Sequence, residues 1–403
     1  MIRSASGWNR LIRGALSALA FLPLLLAGCA RNDAQYAFAP NPDAAANGFA
    51  PGLYTELDDA LAKAVWEGVV PGASLTVRRD GQLIYERAAG VEVPGTRQPV
   101  KRSTYFDVAS LTKPVAGVPA ALLLARNWPE LRDGSPSVEQ ILTHRAGYAA
   151  NVDINQIRGE GLAGFLDRQR PVAMPGGFDL YSNTGYMVLS WQVAKLLGNE
   201  TGIENEIRRY YWDPVGETAF TWKPNGLRVA ASGRDADGKW VRGTPYDPVA
   251  ALWIIRPQIP SFPPLHSGLF ATSGDVALFV DGLMKPGVQD SGNLAFLRDV
   301  LLGAPSPKAA IDEAGRTIYR TPGGLESAMS PPWGDGVSPP GRFLFQTGYT
   351  GCLLWVDKGT RTTVVLLTNA SAVEETRERW TELADRVVRA VMVNTAEGWS
   401  PRN

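Results

Sequence analysis

The chain has 403 residues, 45% of them hydrophobic and 20% charged, with 40 basic and 40 acidic side chains and a formal charge of +0. That size and apolar content allow one large folded unit or two, and the balanced charge leaves no electrostatic footprint for nucleic acid. The only cysteines are Cys29 and Cys352 and the only histidines His144 and His266. Their spacing suits no zinc site, so no metal and no cofactor are expected.

Arg3, Arg10 and Arg13 precede an apolar run from Ala15 to Ala27 that ends at Gly28-Cys29. The run is short for a bilayer span, and a basic flank, an apolar run and a small-residue end describe a secretory signal. Leu26-Ala27-Gly28-Cys29 also resembles a bacterial lipobox, which implies cleavage before Cys29 and a lipid on its thiol. A plain signal peptide cleaved nearby is the other reading. Residues 1–28 are thus expected to be a lipoprotein signal and 29–52 a flexible tether rich in Ala, Asn, Pro and Gly. Lipid on Cys29 would exclude a disulfide and leave Cys352, in an apolar run, as an inert core thiol.

Order is expected to begin near Thr55, where Thr55-Glu-Leu-Asp58 has the form of a capping box. Ala73 to Arg79 and Gln82 to Ala88 are β-rich and flank Asp80-Gly81, a type I′ hairpin signal. Tyr105 to Ala109 is a short strand-like run, and a helix is predicted from Ser110, with Pro114 tolerated in its first turns. Helical patterns follow at Ser137-Val-Glu-Gln140, Gly161 to Arg168, Gly185 to Leu197, Ile203 to Tyr211 and Ser273 to Met284. Near the end come strands from Gly351 to Val356 and Arg361 to Asn369, then a helix from Ala372 to about Val393. The pattern predicts a folded domain over 53–393. Its α/β lobe, with a split antiparallel sheet, would span 53–108 and 341–393, and an inserted, mainly helical lobe 109–340.

Three stretches hold candidate chemistry. On a helix, Ser110 and Lys113 share a face, which puts an alcohol beside an amine and next to orphan backbone N–H groups. No other lysine in the chain has a serine three residues before it. The alternative is a capping serine with a solvated lysine. Tyr181-Ser182-Asn183 offers a phenol and an amide at the mouth of a helix, or else a core aromatic and a cap. Gln346-Thr347-Gly348-Tyr349 lies at a predicted strand edge, where Gly348 would allow close backbone approach, or an ordinary turn. The hydrolase elbow Gly-x-Ser-x-Gly is absent, and a Ser-His-Asp triad would have to recruit His144 or His266.

Ser110-x-x-Lys113, Tyr181-x-Asn183 and Gln346-Thr347-Gly348 stand in the order of the three motifs of the serine β-lactamase and penicillin-recognising superfamily. The chain resembles class C β-lactamases and their esterase, peptidase and amidase relatives. Gln140-Ile-Leu-Thr-His144-Arg-Ala-Gly147, Pro214-Val-Gly216 and His266-Ser-Gly-Leu-Phe270 add to the likeness, which runs from about residue 53 to 393. The resemblance implies that Ser110 is the nucleophile and that Lys113 and Tyr181 share the proton work. It implies that Asn183, Gln346, Thr347 and Gly348 line the substrate, and that the N–H groups of Ser110 and Tyr349 form the oxyanion hole. A free lysine titrates near ~10.4 and a useful base near ~7–8, so burial would have to depress Lys113. Relatives usually open the third motif with Lys or His, which meets a substrate carboxylate. Gln346 there argues against β-lactam hydrolysis and carboxypeptidase activity.

These readings predict an envelope-anchored serine hydrolase facing the periplasm, working through an acyl-enzyme on a small-molecule or peptide acyl substrate. Short acyl esters and cell-wall peptide fragments both fit. The alternative is a β-lactam sensor without turnover, or an envelope-binding lipoprotein. Trp253, Phe262 and Trp333, in aromatic and Pro-rich loops, are expected to rim the cleft.

Overall fold

Strand-forming sequence from both ends of the chain meets in one sheet. The computed structural model describes residues 48–395, apart from 128–134, 178, 198–201, 217, 256–262, 289–291, 313–314, 331, 337–339 and 373–376. The signal, Cys29, most of the tether and Phe262 lie outside the described residues. Strands β1 (Gly72–Arg79), β2 (Gln82–Gly90), β7 (Ala310–Ile311), β8 (Thr317–Arg320), β9 (Glu326–Ala328), β10 (Phe343–Gly348), β11 (Cys352–Asp357) and β12 (Thr362–Thr368) form an antiparallel sheet in the order β2-β1-β12-β11-β10-β9-β8-β7. Two short pairs stand apart from it, β3 (Phe106–Asp107) with β6 (Phe270–Ala271) and β4 (Gly233–Arg234) with β5 (Trp240–Val241).

The first hairpin turns at Asp80 and Gly81, both at positive φ (50° and 82°), as a type I′ turn requires. It delivers β1 against β12 in a register that runs from Ala73↔Thr368 to Arg79↔Thr362. Alternation along β1 then divides the two faces. Leu75 and Val77, with Tyr85 opposite Val77, face the Leu53–Trp66 helix, where the Tyr85 hydroxyl donates to Asp58 at 2.7 Å. Ser74 and Thr76 face the other way, and both hydroxyls bond to the Ser273 hydroxyl at 2.8 Å, at the start of the Ser273–Leu283 helix. Arg78 on that face pairs with Asp281 at 3.0 Å. Helices therefore cover both faces, which is why β11 and β12 are buried at every position.

Two expectations change here. The Leu53–Trp66 helix starts before Thr55, with Gly52 in the cap position and no side-chain cap, so Thr55-Glu-Leu-Asp58 is helix interior. Asp58 serves Tyr85 and Arg87 on the sheet instead. The inserted, mainly helical lobe is also not confined to 109–340 as a separate block: β7, β8 and β9 within it extend the sheet, and the Ser273–Leu283 helix packs on β1 and β12. These strands are two to four residues long, too short to show a clear period of two. The box at Ser137 and Gln140 is present with both of its hydrogen bonds.

Candidate active site

The Ser110 segment begins at β3, whose pairing with β6 extends to a bond from Val108 N to Leu269 O at 3.0 Å. The chain then turns sharply: Ala109 has φ 45°, an unusual value for a side chain with a Cβ. Ala109–Leu111 form a 3₁₀ turn and Lys113–Gly117 a π turn before the Val118–Asn127 helix. The predicted helix therefore starts irregularly, and Ser110 does not cap it. Its hydroxyl is instead the acceptor for the Lys113 ammonium, with Nζ to Oγ at 3.1 Å. Lys113 is 2% exposed and also donates to Asn183 Oδ1 and to the His266 carbonyl, each at 2.8 Å.

Asn183 opens the Asn183–Leu197 helix, but Ser182 does the capping: its hydroxyl accepts from Gly185 N at 3.0 Å and donates to Ala149 O at 2.7 Å. Asn183 is thereby free to face Lys113, while its Nδ2 donates to Asn151 Oδ1 at 2.8 Å. The Tyr181 ring lies 4.8 Å from the Lys113 nitrogen and 4.2 Å from the His144 ring. His144 Nδ1 accepts the Ser182 N–H at 3.0 Å, so its proton sits on Nε2. Burial, with Arg320 and Lys113 nearby, pushes His144 well below its ordinary range and keeps it neutral. His144 thus props the Tyr181 turn. The other histidine, His266, is 3.2 Å from Asp247 through Nε2.

The third segment comes from the sheet. A Cβ on Gly348 would lie 2.7 Å from Val108 O and 3.4 Å from the Ala109 Cβ, so only glycine lets β10 run this close to the serine turn. Two residues on, the Thr350 hydroxyl donates to the Asp107 carbonyl at 2.7 Å. Tyr349 between them is 68% exposed and stacks on Tyr246, with centroids 5.6 Å apart and planes at 20°. Gln346 is buried at 5% exposure, and its amide donates to Thr347 O at 3.0 Å. The structure thus gathers Ser110, Lys113, Tyr181 and Asn183 directly and sets Gly348 against the serine turn.

The expected rim is different. Trp253 and Trp333 are buried, and Trp333 meets Phe345 edge-on at 5.0 Å while its indole N–H donates to Asp385 at 2.8 Å. Tyr246 and Tyr349, near the serine turn, are exposed instead. Cys352 is fully buried, and burial pushes its thiol up to about 12.

A family model described as Beta-lactamase matches residues 57–388. The chain belongs to the β-lactamase family. A protein of Escherichia coli provisionally named a D-alanyl-D-alanine carboxypeptidase is 25% identical, over 87% of this chain and 89% of its own. Esterase EstB of Burkholderia gladioli is 31% identical over 24% of this chain and 30% of its own. A class C β-lactamase crystal structure shares the fold with a TM-score of 0.60 and 20% identity, over 84% of this chain and 98% of that one. With carboxypeptidase- and esterase-named relatives, this β-lactamase-family chain is a serine hydrolase.

Proposed function

We propose that Ser110 attacks a neutral acyl ester or amide and passes through an acyl-enzyme on the envelope side of a bacterial membrane. The observation that carries this is Lys113 Nζ, buried and bonded at once to Ser110 Oγ and Asn183 Oδ1. Lys113, once it has lost its own proton and is the neutral amine, with Tyr181 beside it, takes the Ser110 proton as the Oγ–carbonyl bond forms and returns it to the leaving group as the bond from the carbonyl carbon to that group breaks. Water then attacks the ester and the same groups run in reverse. The N–H groups of Ser110 and Tyr349 are the oxyanion donors, a role supported by the contact of Gly348 with the serine turn. The Asn183 amide and the Gln346, Thr347 and Gly348 edge hold the substrate. Short acyl esters and amides of cell-wall peptide fragments fit a site whose third motif opens with a neutral Gln346. The lipobox-like Leu26-Ala27-Gly28-Cys29 supports anchoring through a lipid on Cys29, facing the periplasm.

Intact-mass analysis of protein taken from bacterial membranes tests both parts. A fluorophosphonate should add once, at Ser110, and not at all in Ser110→Ala; an adduct on another serine in that variant sinks the assignment. Diacylglycerol mass should disappear in Cys29→Ser, and lipid that survives the substitution refutes the anchor. With a p-nitrophenyl ester, the acyl adduct should form and decay; an adduct that persists would indicate a sensor.

A further inference from the structure

Three parts of the site are tied to one residue outside the three motifs. Asp107, in β3, lies three residues before Ser110 and is buried. Its Oδ1 accepts the Ala109 N–H at 2.9 Å and its Oδ2 the Tyr246 N–H at 2.7 Å. Its backbone carbonyl accepts the Thr350 hydroxyl at 2.7 Å. The serine turn, the Tyr246 loop and the segment after β10 therefore converge on it. The turn needs such a tie, because Ala109 is held at φ 45°. The Tyr246 tie reaches further through its stack on Tyr349, the proposed oxyanion residue.

We propose that Asp107 is a positioning residue for acylation: its ionised carboxylate holds the Ser110 turn and the Tyr246–Tyr349 pair in place, and its protonated form releases them. The proposal rests on Ser110 as nucleophile. A carboxylate accepts two N–H groups at once, whereas the acid keeps one good acceptor and gains a hydroxyl that must find its own. Burial, reinforced by the like charge of Asp247, raises Asp107 to about 6 against the two N–H bonds that favour its charge. The other groups facing it are Cys352, with Sγ 3.6 Å from the Asp107 carbonyl and its thiol uncharged, and Tyr246 through its N–H; Lys113, six residues on in the chain, bonds to Ser110. His266 stands behind Asp247 at 3.2 Å.

The sign of the linkage gives a signature. A carboxyl raised in the fold contributes stability that is full below its unfolded value and is lost as pH rises through about 6. As pH falls from 7 to 5, Asp107 therefore adds stability while acylation weakens; a purely structural role would move both together. The experiment measures the fluorophosphonate labelling rate at Ser110 and the melting temperature, from pH 5 to 8, for wild type, Asp107→Asn and Asp107→Glu. Wild type should slow with a midpoint near 6. Asp107→Asn should label about tenfold or more slowly at pH 8, without that midpoint, and Asp107→Glu should recover part of the rate with a displaced midpoint. The melting difference between wild type and Asp107→Asn should shift toward wild type as pH falls. A folded Asp107→Asn with the wild-type rate or the same midpoint overturns the proposal. If Asp107→Asn does not fold, an unmoved midpoint in folded Asp107→Glu overturns it alone. Wild type that never labels at Ser110 fails at the nucleophile, a distinguishable result.

Discussion

Lys113 and Arg320 are both 2% exposed, and both stand close to His144, yet they are held in different ways. Arg320 Nε and Nη2 donate to one Glu326 oxygen at 3.2 and 2.9 Å, and Nη1 donates to Asp179. Asp179 also takes Arg145 Nε at 3.2 Å, and Arg145 Nη2 reaches the Lys308 carbonyl at 2.7 Å. Burial works against the Arg320 charge, but the two carboxylates outweigh it and raise the guanidinium above its ordinary value. Lys113 donates instead to a hydroxyl, an amide oxygen and a peptide carbonyl. A guanidinium among carboxylates keeps its proton and fixes geometry; an ammonium on neutral oxygens gives up its proton more readily and, as the amine, is able to take one from a neighbouring hydroxyl. The first is scaffold for the Tyr181 turn, since Asp179 lies two residues before it. The second is, in the proposed mechanism, the reacting end of that scaffold.

Exchanging each cation for methionine should separate the two roles. Lys113→Met should lower kcat for a p-nitrophenyl ester by about 10²–10⁴-fold, the range for a positioned general base, with a cooperative melt retained. Arg320→Met leaves buried Glu326 without its cation and half-buried Asp179 with Arg145 alone, and should cost ~3–5 kcal/mol in urea unfolding, with kcat per folded molecule far less affected. The second loss also depends on pH. Burial already raises Glu326, and without Arg320 it rises further, so its stability contribution is present at low pH and is lost as pH rises. The deficit should be smaller at pH 5 than at pH 8. If Lys113→Met fails to fold, or Arg320→Met folds normally but is inactive, the division between scaffold and chemistry is wrong.

The proposed reacting end was more legible in the sequence than its supports. Ser110 and Lys113 at a spacing of three, and Tyr181 and Asn183 at a spacing of two, carry side-chain signals that survive without coordinates, and the structure brings all four together. The two ends of the sheet were legible for a related reason: Asp80-Gly81 and the β-branched runs of β1 and β12 have local periodicity. Asp107 was not. Its partners are the N–H groups of Ala109 and Tyr246, and backbone donors leave no trace in residue identity. Arg320, Glu326 and Asp179 were hidden in short strands and a loop, where three charges read as surface. The tryptophans misled in the opposite direction: Trp333 sits in a Pro/Gly-rich loop but closes over Phe345 and anchors to Asp385.

The smallest effect concerns Gln346, which stands where related chains carry a cation. Gln346→Lys would add another buried cation, and the comparison says how it should behave. The position is 5% exposed, and the acceptor used by the native amide is the Thr347 carbonyl at 3.0 Å, a neutral oxygen like those around Lys113. The new ammonium would be desolvated, so the empty enzyme should melt at a lower temperature than wild type. A substrate carboxylate would supply the missing anion, as Glu326 and Asp179 do for Arg320, through a charge-assisted bond. The variant should therefore gain ~1–3 kcal/mol in kcat/KM for carboxylate-bearing substrates relative to neutral esters, the range for hydrogen bonds to charged groups. Wild type should prefer the neutral ester. Paired kcat/KM measurements on a short-chain p-nitrophenyl ester and a chromogenic cephalosporin, with and without the substitution, give the ratio directly. A wild-type enzyme that turns over the cephalosporin as well as the ester would remove Gln346 as the discriminator. It would then be Lys113, or a cation elsewhere in the cleft, that answers the substrate carboxylate.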